Sequence, residues 1–191
     1  LKLKTKMTTI DKLLICGIRS YDPNSHCVIK FFKPLTIILG ANGTGKTSII
    51  EALKYGCTGD IPALSDHGRT FIHDPSHEGL KVVKAQVKVA FRTREDKPII
   101  AVTSMQLTQK AKKKEFKTID GVIRTYNDET DEQVSISHKC ADMRKVVPEL
   151  MGVSPAILDS VIFCHQEDSD WPLSEGKKLK EKFDKIFATT R

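Results

Sequence analysis

Residues 40–47, Gly-Ala-Asn-Gly-Thr-Gly-Lys-Thr, are where residue type and spacing specify chemistry most plainly. They satisfy the pattern G-x-x-x-x-G-K-[ST] at every fixed position. Glycines at 40, 43 and 45 permit positive φ angles and close backbone approach, so successive N–H groups can converge on an anion. A helix beginning near Lys46 would add the positive end of its dipole. Lys46 could then reach the β- and γ-phosphates of a nucleoside triphosphate, and the Thr47 hydroxyl could ligate Mg²⁺. The apolar run 35–39 reads as a strand feeding the loop. Residues 47–55 read as the helix leaving it, with Ile49, Ile50 and Leu53 on one apolar face. The ligand this predicts is ATP with Mg²⁺.

A P-loop hydrolase also needs an acidic residue at the end of a second apolar strand. Asp159, after Ala156-Ile157-Leu158, is the best candidate, but Ser154-Pro155 forms an N-cap and first-turn pair that makes it a helical surface residue. No N-K-x-D is present to read guanine. Arginines 19, 69, 92, 94, 124 and 144 form no evident cluster, which argues against the arginine-rich lid of a small P-loop kinase. A nucleotide hydrolase is legible here, with one carboxylate missing.

The elements that must position the loop follow from patterning. Strands are predicted at 13–18 and 28–32, around the turn-forming Tyr21-Asp22-Pro23-Asn24-Ser25. Residues 57–80 are rich in Gly, Pro, Asp and His, a length that implies a function or a wrapping role. Residues 81–92 alternate, and further strands are expected at 99–107, 116–119, 122–126 and 134–137 with polar turns between them, an antiparallel arrangement. A helix over 140–151, weakened by Pro148 and ended by Gly152, precedes the short helix opened by Ser154. A short apolar strand is expected at 161–164. The last helix opens at Ser174 and carries Leu179, Phe183, Ile186 and Phe187 at helical spacing. Residues 1–6, ahead of Met7, are set apart as foreign or misassigned.

A net charge of +7 suits a polyanionic partner, and much of the excess lies in 110–117 and 177–185. The five cysteines (16, 27, 57, 140, 164) include no C-x-x-C pair, which points to reduced thiols in the cytosol or nucleus. No apolar run approaches the roughly 20 residues that cross a bilayer, and no leader pattern is present, so the sequence reads as intracellular.

The stretch 161–172, Val-Ile-Phe-Cys-His-Gln-Glu-Asp-Ser-Asp-Trp-Pro, resembles the Q-loop of ABC-type ATPase heads. More narrowly, it is similar to that of the eukaryotic double-strand-break repair ATPases of the Rad-fifty family. The similarity extends to Leu173-Ser174-Glu175-Gly176, Lys182-Phe183-Asp184, Gly17-Ile18-Arg19-Ser20, Thr58-Gly59-Asp60 and Glu115-Phe116-Lys117-Thr118, covering residues 7–191. The resemblance implies an α/β fold: the N-terminal lobe of an ABC-type P-loop ATPase head over 7–173, with an antiparallel β-subdomain and the root of a coiled-coil helix over 174–191. The missing carboxylates and a Ser-Gly-rich signature loop would belong to a C-terminal lobe, and a zinc hook would lie at the far tip of the coiled coil, outside this segment. Carried over by position, Arg19, Asn42, Gly43, Thr44, Gly45, Lys46, Thr47 and Ser48 would bind ATP, and Ile72 and Asp74 would flank it. Gln166 would join Thr47 around Mg²⁺, and Lys46, Thr47 and Gln166 would serve hydrolysis.

The same resemblance implies several partners: the C-terminal lobe, a second copy in an ATP-dependent homodimer, a nuclease of the Mre-eleven family with its Nbs/Xrs-type adaptor, and double-stranded DNA in the nucleus. No membrane is implied. The basic run Lys110, Lys112, Lys113 and Lys114 is the candidate phosphate contact, or else a solvated hairpin tip. Two other functions compete: an architectural chromosome-organising head and a small P-loop kinase.

Overall fold

The computed structural model describes residues 7–62, 65–77, 79–111, 113–126, 133–163, 171–173 and 175–188. Period-two alternation builds the sheet. Its strands are β1 (Thr9–Cys16), β2 (Cys27–Lys30), β3 (Val82–Arg92), β4 (Pro98–Gln109), β5 (Lys114–Tyr126) and β6 (Gln133–His138). They form one antiparallel sheet in the order β2-β1-β3-β4-β5-β6. Leu13 and Ile15 of β1, Ala85, Val87, Val89 and Phe91 of β3, and Met105 and Leu107 of β4 are buried in the core. Each fully buried Val, Leu, Ile, Phe or Met side chain among them contributes about 1.5–3 kcal/mol.

Helix α1 (Lys46–Thr58) covers that face through Ile49, Ala52, Leu53, Tyr55 and Cys57. It lies close because residue 56 is glycine: a Cβ there would sit 2.4 Å from Val89 Cγ2. Helix α2 (Cys140–Met151) packs beside it through Met143, Val147 and Met151 and ends at Gly152, with φ 68°, as the sequence predicts. Pro148 is accommodated inside α2. Ser154 caps α3 (Pro155–Ile157), its side chain accepting from the Ile157 N–H at 3.4 Å. Helix α4 (Gly176–Ala188) is the last described element. Its Ile186 is buried, whereas the Phe183 and Phe187 rings stack at 5.9 Å and stay largely exposed.

Four expectations are corrected. Residues 35–39 do not form a paired strand: Leu35, Ile37 and Leu39 are 70 %, 69 % and 86 % exposed, while Ile38 packs on the core. The side chains alternate as in a strand, but no strand among the described residues lies beside them. Residues 116–119 and 122–126 are one strand, because the long β4 supplies partners across Asp120-Gly121. Met105 pairs with Thr118 and Ser104 with Asp120, leaving Ile119 as a bulge. Residues 161–162 fall in a wide π-type turn, Leu158–Ile162, continuing the helix that Ser154 starts, rather than in a strand. On α1, Ile50 is 38 % exposed and the charged Glu51 takes the inward position. Asp159 is a half-exposed helical residue paired with Lys54 at 2.5 Å, as read from Ser154-Pro155.

The 57–80 stretch wraps the fold. Phe71 and Ile72 are buried, and Ile72 makes a bridge to Ile18. The His73 N–H donates to the Gly17 carbonyl at 2.9 Å, and the Arg19 N–H to the Phe71 carbonyl at 3.0 Å.

Candidate nucleotide site

The loop at 40–45 curls back before α1 begins. The Thr44 hydroxyl and N–H both donate to the Ala41 carbonyl, at 2.8 and 3.4 Å. Gly43 and Gly45 have φ of 82° and 90°, the left-handed conformation that glycine adopts without a Cβ clash. Gly45 is the N-cap of α1, and no side chain caps that end. The first-turn N–H groups are therefore unclaimed by a cap, at the positive end of the dipole. Lys46 Nζ spans the loop, donating to the Gly40 and Ala41 carbonyls at 2.8 and 2.7 Å. Asn42 is exposed at the loop tip and Thr47 is exposed in the first turn. Ser48 is buried, so what it can offer a phosphate is its backbone N–H. An oxyanion is the ligand that such an uncapped, lysine-bearing helix start takes.

Two residues that sequence reasoning passed over hold this turn. The Tyr21 ring covers Gly45 so closely that a Cβ there would lie 3.1 Å from the phenol oxygen. Glu51, one turn beyond Thr47, accepts a hydrogen bond from Arg19 Nη2 at Oε1 at 2.8 Å, with Oε2 at the same distance in the ion pair. A charged residue inside the apolar face of α1 was the available signal for Glu51. Arg19 itself has φ 47°, and its carbonyl contacts His73 Nδ1 at 2.7 Å.

Arg19, tied to α1 through Glu51, lines a neighbouring cleft of about 390 Å³. Ile72 and Asp74, both predicted to flank the nucleotide, line this cleft with Arg19, as do Asp66, Arg69, Thr70 and Lys114. Arg19 and Arg69 thus meet here, although their spacing in sequence gave no hint of it. Each cation of the cleft has a carboxylate beside it: Arg19 with Glu51, Arg69 with Asp66 at 3.4 Å, and Lys114 with Asp74 at 2.5 Å. The hydrogen bond from Lys114, then that from the Ser76 N–H, holds the Asp74 carboxyl well below the usual carboxylate range.

A family model described as an AAA domain matches residues 12–191. The chain belongs to the AAA-domain family. This AAA-domain chain is 53 % identical over 185 residues to DNA repair protein RAD50 of Arabidopsis thaliana, covering 97 % of the chain and 14 % of the relative. It is 53 % identical over 186 residues to DNA repair protein RAD50 of Dictyostelium discoideum, with the same coverage. It is also 49 % identical over 181 residues to DNA repair protein RAD50 of Saccharomyces cerevisiae, covering 95 % of the chain and 14 % of the relative. The chain therefore spans about one-seventh of the length of these relatives. The Rad-fifty resemblance read from the motifs is borne out by these matches.

Other predicted positions of the AAA-domain chain are distributed as follows. Gln166 and Lys112 lie outside the described residues. Lys110 ion-pairs with Glu115 across the β4–β5 hairpin, Lys114 is committed to Asp74, and Lys113 is exposed. Among the described residues no group of three His, Cys, Asp or Glu side chains could hold a metal by itself. Mg²⁺ is ordinarily bound through one or two protein oxygens plus substrate phosphates. Thr47 is the described residue that could supply one. Among the described residues no helix is long and apolar enough to cross a membrane.

Proposed function

We propose that this chain is the ATP-binding, N-terminal half of a split ATPase head acting in DNA double-strand-break repair. The observation that carries it is the uncapped start of α1, with Lys46 stretched across the loop between two carbonyls. The repair assignment is supported by the RAD50 relatives. The requirement for a C-terminal lobe is supported by two features. Asp159 is engaged with Lys54 on the surface, and the apolar, strand-like 35–39 has no partner strand among the described residues.

In operation, the loop N–H groups and the α1 start bind the phosphates, and Lys46 exchanges its two carbonyl acceptors for phosphate oxygens without a large search for position. Thr47, with Gln166, would hold Mg²⁺. Bound Mg-ATP supplies the phosphoryl group to be transferred and much of its charge neutralisation. Arg19, tethered to Glu51, keeps the loop and the cleft in register, so the nucleoside end lies by Ile72 and Asp74. Two such heads closing on ATP would bring in the second copy, and a release of those contacts on hydrolysis would shift the population back to open. Double-stranded DNA, contacted at the exposed Lys113 and its hairpin, and a nuclease of the Mre-eleven family complete the proposed assembly, which would work in the nucleus.

The test is turnover by this chain with and without a co-expressed C-terminal lobe. The isolated chain should hydrolyse ATP negligibly and the combination should hydrolyse it, with Lys46→Ala losing nucleotide binding and Gln166→Ala keeping most binding while losing hydrolysis. Robust turnover by the lone chain would refute the split head.

A further inference from the structure

Lys114 opens β5 directly after the basic hairpin, and sequence alone groups it with lysines facing DNA. Its ammonium instead crosses from the sheet to the loop ahead of β3 and donates to Asp74 Oδ2 at 2.5 Å. The other oxygen, Oδ1, accepts the Ser76 N–H at 2.9 Å. Two donors from different elements thus hold the two carboxylate oxygens, and the aspartate is fixed in one orientation. Both residues line the cleft beside Arg19 and Ile72.

The charge pattern of that cleft differs from that of the phosphate loop. Arg19 is engaged with Glu51, Arg69 with Asp66, and Lys114 with Asp74. Cations neutralised in this way are poor receivers of a polyphosphate. An oriented carboxylate suits the neutral hydroxyls and amines of a nucleoside. Lys114 and Asp74 are about one-third exposed, 31 % and 36 %, so their pair adds little to fold stability and its effect lies in orientation.

We infer that Lys114 is a positioning residue for nucleotide binding, holding Asp74 to accept a hydrogen bond from the nucleoside end, and is not a DNA phosphate contact. This rests on the nucleotide reading given above. Calorimetric titration of the complete protein with ATP, and separately with inorganic tripolyphosphate, tests it. Lys114→Met should weaken ATP roughly 5- to 10-fold, the loss of one charge-assisted hydrogen bond, and leave tripolyphosphate unchanged. Lys114→Arg should restore ATP affinity to within about threefold, since a guanidinium also donates to a carboxylate. Asp74→Asn should weaken ATP comparably, and adding Lys114→Met to it should cost nothing more, because the lysine acts through the aspartate. The salt dependence of duplex DNA binding should be the same for Lys114→Met and wild type.

Full ATP affinity in Lys114→Met would overturn the inference while leaving the P-loop reading intact. Equal loss of ATP and tripolyphosphate, multiplying losses in the double variant, or a salt slope reduced by about 0.9 would overturn it as well. A wild-type protein that binds no ATP would remove both readings.

Discussion

Replacing Gly56 with alanine sets two rules against each other. In an exposed helix the change would stabilise by about 1 kcal/mol, because glycine is the poorer helix former. Here the new Cβ would lie 2.4 Å from Val89 Cγ2 and 3.2 Å from Val87 Cγ1. Both valines are fully buried in β3, and β-branched side chains cannot swing aside. Overpacking a buried contact of this kind costs about 1–3 kcal/mol, so the net expectation is destabilisation by about 1–2 kcal/mol. Urea unfolding of the purified chain reads it directly: with a slope of about 2 kcal/mol per molar, the midpoint should fall by about 0.5–1 M. Val89→Ala leaves a cavity and is destabilising alone. Combined with Gly56→Ala, it admits the new methyl, so the pair should be less destabilised than the sum by about 1 kcal/mol. A rise in midpoint for Gly56→Ala, or strict additivity in the pair, would refute the seating of α1 on Val89.

The remaining predictions concern titratable groups. Burial pushes the Cys57 thiol up to about 12. At pH 8 its thiolate fraction is therefore about 10⁻⁴, and a maleimide should label Cys57 only after denaturation, as read by peptide mass mapping, whereas the half-buried Cys27 should react in the native protein. Asp74, held low by Lys114 and the Ser76 N–H, contributes a small, solvent-screened stability that is present above the unfolded carboxyl pKa of about 3.9 and lost as pH falls through its lower native value. A carboxyl-carbon NMR titration should show that low inflection, and Lys114→Met should move it upward toward the ordinary range. An unmoved inflection would assign the depression elsewhere.

The phosphate loop was legible in sequence because its geometry is local: glycines, a lysine and a hydroxyl within eight residues dictate the turn and the helix start. The Ser154 cap and the Gly152 stop were legible for the same reason. The surrounding contacts were not. Arg19 reaches Glu51 across 32 positions, and Lys114 reaches Asp74 across 40, separations that no spacing rule covers. The apolar run 35–39 reads as a strand, but a strand exists only beside another, and none among the described residues pairs with it. Asp120-Gly121 carried turn propensity and was overruled by the long partner strand β4. The DNA-facing grouping of lysines came from composition, which cannot see that Lys110 and Lys114 each meet a carboxylate.

Helix α1 has 13 residues, a rod about 20 Å long. Its tip bears Lys46 and Thr47, the next turn is bolted to Arg19 through Glu51, and the turn after that bears on Val87 and Val89. At its far end Gly59 abuts α2, where a Cβ would come 2.6 Å from Arg144 Cγ. A rod braced at its middle and both ends has no slack. A shift of a few tenths of an ångström at the phosphate end should therefore be felt at α2, which packs beside the rod in the same core.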